Sequence, residues 1–154
     1  MKQMRIIRLG GTVLLTTLLL LACQTEPPEI PEDLSQPEFF QRAQDAADEN
    51  RWEVALHYYE TFLERYPDDE RNRIAAEYEI AFIHYKMEEY QTSKEMFQEI
   101  LAKYDEDEDD SLPEWPRILS EKILDTVNTR IEEEEEGLLG SLETEPPEDS
   151  DSEE

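Results

Sequence analysis

The stretch "WEVALHYYETFLERYPDD" (52–69) returns 38 residues later as "YQTSKEMFQEILAKYDED" (90–107). Trp52 then meets Tyr90, Ala55 meets Ser93, Tyr59 meets Phe97, Phe62 meets Ile100, Leu63 meets Leu101 and Tyr66 meets Tyr104. Apolar residues recur at three and four, which predicts an amphipathic helix in each copy. The small residue lets two backbones approach, and the aromatics fill the gap between them. Each copy is preceded by a second helical segment. In the first, Ser35 and Glu38 form a capping box and Leu34 and Phe39 a hydrophobic staple. Pro37 is tolerated there because first-turn amides lack partners. Phe39, Ala43 and Ala46 continue the apolar face, and "DENR" is a break in which Asn50 suits the left-handed conformation. In the second, "AAEYEIAFIHYKM" is the helix and "EE" the break. "YPDD" ends the first pair, since a residue before proline avoids the helical region. A helix pair cannot bury its own face, so a doubled pair predicts stacking.

The pattern resembles the tetratricopeptide repeat, a helix pair of about 34 residues. Counting back from Pro67, Phe39 stands at the tryptophan position and Ala43 at the small position, while Ala55 and Tyr59 fit the second helix. Ala81, Tyr90, Ser93 and Phe97 fit in the second copy. Arg42, Ala46, Phe62 and Asp105 depart from the pattern, and "ERNR" (70–73) lengthens the join. Downstream, "SLPEWPRILSEKILDTVNTRI" places Pro116 near a helix start, with Trp115, Ile118, Leu119, Ile123, Val127 and Ile131 at helical spacing. It reads as a single helix closing the open end of the stack, as capping elements do in solenoids. The expected fold is therefore all-α: a short tetratricopeptide-like helix-pair solenoid of two repeats plus a closing helix over residues 35–131, with disordered termini.

The N-terminus carries a different message. "MKQMRIIR" holds Lys2, Arg5 and Arg8, and residues 9–22 carry no charge before the sole cysteine, Cys23. That stretch is too short to span a bilayer and fits a secretory signal. "LLAC" resembles the lipobox of bacterial lipoproteins. The resemblance implies a signal peptide over 1–22, removed to leave Cys23 lipidated as the new N-terminus. Several acyl chains hold firmly where one would be marginal. Residues 23–34, rich in proline and acid, read as a flexible tether. Gln24 is not the aspartate of inner-membrane retention, which in a diderm implies the outer membrane, periplasmic side.

The chain holds 41 Asp and Glu against 14 Lys and Arg, a net charge of −27. Such a surface repels phosphate backbones and anionic headgroups, so nucleic acid is excluded as a partner and membrane contact must come through the lipid. One cysteine permits no internal disulfide. Residues 132–154, with "EEEEE" and "EPPEDSDSEE", read as an acidic disordered tail. No catalytic constellation, cofactor loop or metal motif is present. His57 and His84 lie on different helices, and "DEDEDD" (105–110) lacks the glycine and glutamate of an EF-hand loop. No enzyme activity, cofactor or small-molecule substrate is expected.

In solenoids of helix pairs the first helix of each unit lines the binding face. The candidate peptide groove is Phe40 and Gln44 from the first unit, with Tyr78, Phe82, Tyr85 and Lys86 from the second; Ala47 is a further inner position. Tyr78, Phe82 and Tyr85 form one stripe, while Ile80, Ala81 and His84 face the core. An aromatic stripe beside a lysine suits an extended peptide. The alternative is that the stripe packs under the closing helix or the tether. With "RAQDAADENRWEVALHYYETFLERYP" shortly after the tether, the chain resembles the BamD-type lipoproteins of the outer-membrane β-barrel assembly machinery over residues 35–104. The resemblance implies a scaffold whose partners are barrel-assembly proteins and unfolded outer-membrane proteins. A general envelope adaptor serving peptidoglycan or cell-division complexes is the alternative.

Overall fold

A computed structural model describes residues 28–107 and 111–143, with side chains given to residue 139. Among the described residues five helices follow in order: α1 (Gln36–Asp48), α2 (Trp52–Arg65), α3 (Glu70–Lys86), α4 (Tyr90–Glu106) and α5 (Glu114–Glu143). The expected all-α solenoid of two helix pairs and a closing helix is the fold observed.

Local sequence sets each boundary. The Ser35 amide donates to the Glu38 carboxylate at 3.0 Å, and the Ser35 hydroxyl donates to the same oxygen at 2.5 Å. These two bonds, hydroxyl first, hold the Glu38 carboxyl below its ordinary range. Asp69 caps α3 by accepting the Asn72 amide at 3.2 Å. Both turns inside the pairs pass through the left-handed region, at Asn50 (φ 57°) and at Glu88 (φ 64°), 38 residues apart. Arg51 N–H reaches Ala46 O and Glu89 N–H reaches His84 O, each at 2.9 Å. Both are the long bond of a Schellman ending.

The pairs are antiparallel. Phe39 at the start of α1 meets Tyr66, just past the end of α2, at 6.1 Å between ring centroids. Tyr85 near the end of α3 lies 5.9 Å from Tyr90 at the start of α4, and Lys103 near the end of α4 reaches Glu77 at the middle of α3 at 2.5 Å. Ala55 and Ser93 are both fully buried, as their shared position requires. Ser93 also donates its hydroxyl to Ala81 O at 2.9 Å, so the small residue that admits α3 is satisfied by it.

α3 is central and apolar on two sides. Ala76, Ile80 and Ile83 join Phe39, Tyr59 and Phe62 in one core. Ile74, Tyr78 and Ala81 join Phe97 and Ile100 in the other. Each buried aromatic contributes roughly 2–3 kcal/mol through area removed from water, so neither pair can fold well without its neighbour.

Two sequence boundaries are corrected. The flexible tether was expected to run to residue 34, yet Ile30 and Leu34 are 9% and 5% exposed and belong to the first core. Arg65 Nη1 donates to Pro31 O at 2.7 Å and Nη2 to Ile30 O at 3.2 Å, while the guanidinium lies 5.3 Å from the Phe39 ring centroid. A chain that sheds two apolar side chains into a core is a strap, whatever its proline content. The acidic tail was expected to lose structure from residue 132, but α5 runs to Glu143. Glutamate is a strong helix former, and Arg130 pairs with Glu133 at 2.8 Å across one turn. Cys23, the signal segment and residues 144–154 lie outside the described residues.

The first turns of the closing helix also pack in a different register from the expected one. Pro116, Ser120, Val127 and Ile131 are its buried positions, whereas Trp115, Ile118 and Leu119 are 41%, 50% and 39% exposed. Val127 and Ile131 of the expected stripe are buried and Ile123 packs on the second core, whereas in the first turns a proline and a serine take the inward places.

Candidate protein-binding face

The structure separates the expected groove residues. Tyr78, Phe82 and Tyr85 do form one run along α3: Tyr78 and Phe82 stack at 6.2 Å with 7° between planes, and Phe82 lies 5.9 Å from Tyr85. The run extends at both ends to residues the sequence did not assign to it. Trp115 of α5 meets Tyr78 edge-on at 5.2 Å, and Tyr90 lies 5.9 Å from Tyr85. Tyr90 opens α4 in Trp52's place, and that equivalence was the available signal. Nothing in the spacing of α5 points Trp115 at α3.

Tyr78 is not open to a ligand. It is 9% exposed, covered by Phe97 at 5.6 Å and by Trp115. Burial, reinforced by the nearby Glu79 charge, pushes its phenol up from the usual value. This end of the stripe packs under the closing helix. Phe82 and Tyr85 are half-buried, and Tyr85 is among the groups beside Arg130 of α5. Gln44 and Lys86 are exposed. Phe40 belongs elsewhere: its ring packs edge-on against Tyr59 at 5.5 Å and Phe62 at 5.0 Å, inside the first core's shell. Ala47 also packs against that core. The face that results is the half-open Phe82–Tyr85 step, Lys86 beside it, and the exposed Trp115–Ile118–Leu119 patch joined through Tyr78.

Other candidates are committed to structure. His84 Nδ1 donates to Glu89 at 2.5 Å and is half-buried at the turn, outside both cores. Asp107 accepts from the Ser111 hydroxyl at 3.1 Å and the Leu112 amide at 2.9 Å, organising the turn that the acidic run enters. A cleft of about 370 Å³ lies beside Arg73, Glu77, Lys103 and Asp107. Its cations are already engaged, Arg73 with Leu63 O at 2.7 Å and Lys103 with Glu77. Among the described residues no cluster of three His, Cys, Asp or Glu could hold a metal, and no helix is long and apolar enough to cross a membrane.

An all-α stack of helix pairs presenting a side-chain face is the architecture of a repeat scaffold. The comparisons agree with that class. Residues 75–107, covering nearly all of α3 and α4, match the family model of the tetratricopeptide repeat. The chain carries a tetratricopeptide repeat, a unit that generally mediates protein–protein interaction. An uncharacterized protein of Treponema pallidum (strain Nichols) is 31% identical over 131 residues, covering 78% of this chain and 52% of its own length. The chain thus spans about half the length of that relative. No solved structure matches.

Proposed function

We propose that this protein is a non-enzymatic scaffold that binds proteins or peptides in the cell envelope, anchored through lipid on Cys23, and that it serves outer-membrane β-barrel assembly. The observation that carries the reading is the aromatic run from Tyr90 through Tyr85, Phe82 and Tyr78 to Trp115, half-open at Tyr90, Tyr85 and Phe82 and exposed at Trp115, with Tyr78 buried between them. Aromatic anchors rimmed by polar residues are what protein contacts use. The signal-like N-terminus, the "LLAC" sequence and the net charge of −27 support attachment by lipid and not by charge.

The docked strap adds a geometric consequence. Ile30 is the seventh residue after Cys23, a reach of at most about 25 Å. A scaffold so held works close to its membrane. The test of anchoring is the intact mass of protein extracted from membranes. The expected species begins at a Cys23 carrying acyl chains, and Cys23→Ser abolishes it. An unprocessed chain with a free Cys23 thiol would overturn the lipid anchor.

A further inference from the structure

We propose that the outward face of the first turns of α5 is a docking site for a basic amphipathic helix of a partner protein, seated where a sixth helix of the solenoid would lie. This deepens the scaffold reading and rests only on its coarser part, that the chain binds proteins.

The register of α3 defines the place. On α3 the side chains in the core shared with α2 are Ala76, Ile80 and Ile83, and those in the core shared with α4 are Ile74, Tyr78 and Ala81. The forward-facing row thus lies two residues before the backward-facing one. α5 packs on α4, and the positions it buries are Pro116, Ser120, Val127 and Ile131. Two residues before the first three stand Glu114, Ile118 and Asp125. This row faces no described helix, and Ile118 is half exposed, with Trp115 and Leu119 beside it at 41% and 39%. Residues spaced three and four apart on one helix form the ridge that a second helix packs against.

The charge of the row selects the occupant. Around Ile118, positions four before, three after, four after and seven after hold Glu114, Glu121, Lys122 and Asp125, three carboxylates to one ammonium. Arg117 offsets Glu114 at 3.4 Å, while no ion pair among the described residues involves Glu121 or Asp125. An apolar ridge on which carboxylates outnumber the one lysine, on a chain of net charge −27, matches a helix whose apolar stripe is bordered by Lys or Arg. A second copy, at −27, meets repulsion over the whole approach. Residues 144–154, "TEPPEDSDSEE", are acidic and proline-bearing and cannot supply such a helix.

The test uses the full chain in detergent micelles, with Trp52→Phe so that Trp115 is the sole indole. Two helical peptides share one Leu/Ile stripe and differ only in Lys or Glu flanks. The Lys peptide is expected to bind and shift Trp115 emission to the blue, and to weaken as salt rises. The Glu peptide is expected not to bind. Ile118→Asp, at an exposed position, leaves helicity unchanged and weakens the Lys peptide about tenfold or more, the cost of burying an unpaired carboxylate. Equal binding of both peptides, no binding of either, or indifference to Ile118→Asp overturns the proposal. So does a blue shift on raising protein concentration alone, which would mean self-association, or on adding phosphatidylcholine vesicles, which would mean a lipid surface. If the Lys peptide fails while envelope proteins still co-purify with the chain, the docking site falls and the scaffold reading stands.

Discussion

Tyr66 and Tyr104 stand 38 residues apart at matching ends of α2 and α4, and each phenol donates to the backbone carbonyl at the entry of a neighbouring helix. Tyr66 reaches Leu34 O at 3.3 Å, ahead of α1; Tyr104 reaches Pro113 O at 2.6 Å, ahead of α5. The repeat thus encodes a fastening as well as a packing face. Tyr104→Phe is expected to cost about 0.5–1.5 kcal/mol, the net worth of one such bond. Its effect should concentrate on α5, so amide exchange in residues 114–131 should quicken more than in α1. Uniform quickening across both helices would contradict this fastening.

Arg65 clasps the strap from one side while covering Phe39 from the other. Arg65→Ala removes both, at about 1–3 kcal/mol. Limited proteolysis should then cut near residues 28–34 well before the helical body unfolds. Arg65→Lys keeps the charge but loses the two-pronged grip on Ile30 and Pro31, and should recover only part of the protection.

Glu88 occupies a left-handed backbone position that Asn50 fills in the first repeat. A residue with a Cβ is strained there, whereas glycine is not. Glu88→Gly is therefore expected to be neutral to stabilising, by up to about 1 kcal/mol, and to raise the thermal midpoint. A clear loss would mean that the glutamate side chain makes a contact worth more than the strain.

Glu79 lies half-buried on α3, near the buried phenols of Tyr59 and Tyr78, and burial raises its pKa above 4.5. In the window between 4.5 and that raised value the folded chain holds a proton that the unfolded chain has released. Stability contributed by this group therefore rises as pH falls through the window and declines as pH rises. Glu38 acts in the opposite sense, since its lowered value costs stability only as pH falls below about 4.5. Urea midpoints for the wild type and Glu79→Gln are expected to converge as pH falls to 4.5 and below, where the carboxyl is protonated in both states. At pH 7 the glutamine variant should be the more stable. Parallel curves at every pH would remove Glu79 from the balance.

Much of this fold was legible because helix pairs announce themselves locally. The Ser35–Glu38 box, the left-handed Asn50 and the Ala55/Ser93 equivalence are each decided within a few residues, and each is present. The failures are long-range. Ile30 and Leu34 enter the core where Arg65 holds the Ile30 and Pro31 carbonyls and Tyr66 the Leu34 carbonyl, over 30 residues away, and composition carries no trace of that grip. α5 buries Pro116 and Ser120 because α4 offers a close surface, so a polar residue took an inward place and Ile118 an outward one. The candidate groove mixed both cases. Tyr78, Phe82 and Tyr85 share a stripe by periodicity alone, but whether a stripe is open depends on what crosses it, and Trp115 crosses Tyr78.

The most direct test of the scaffold reading is purification of the protein from gently solubilised membranes, with its companions identified by mass spectrometry. Recovery of the barrel-forming assembly protein, reduced when Lys86 and Ile118 are replaced by Glu and Asp, is the result this account predicts. Recovery of cell-wall or division proteins in its place would contradict the assembly role, and an empty purification would contradict the scaffold itself.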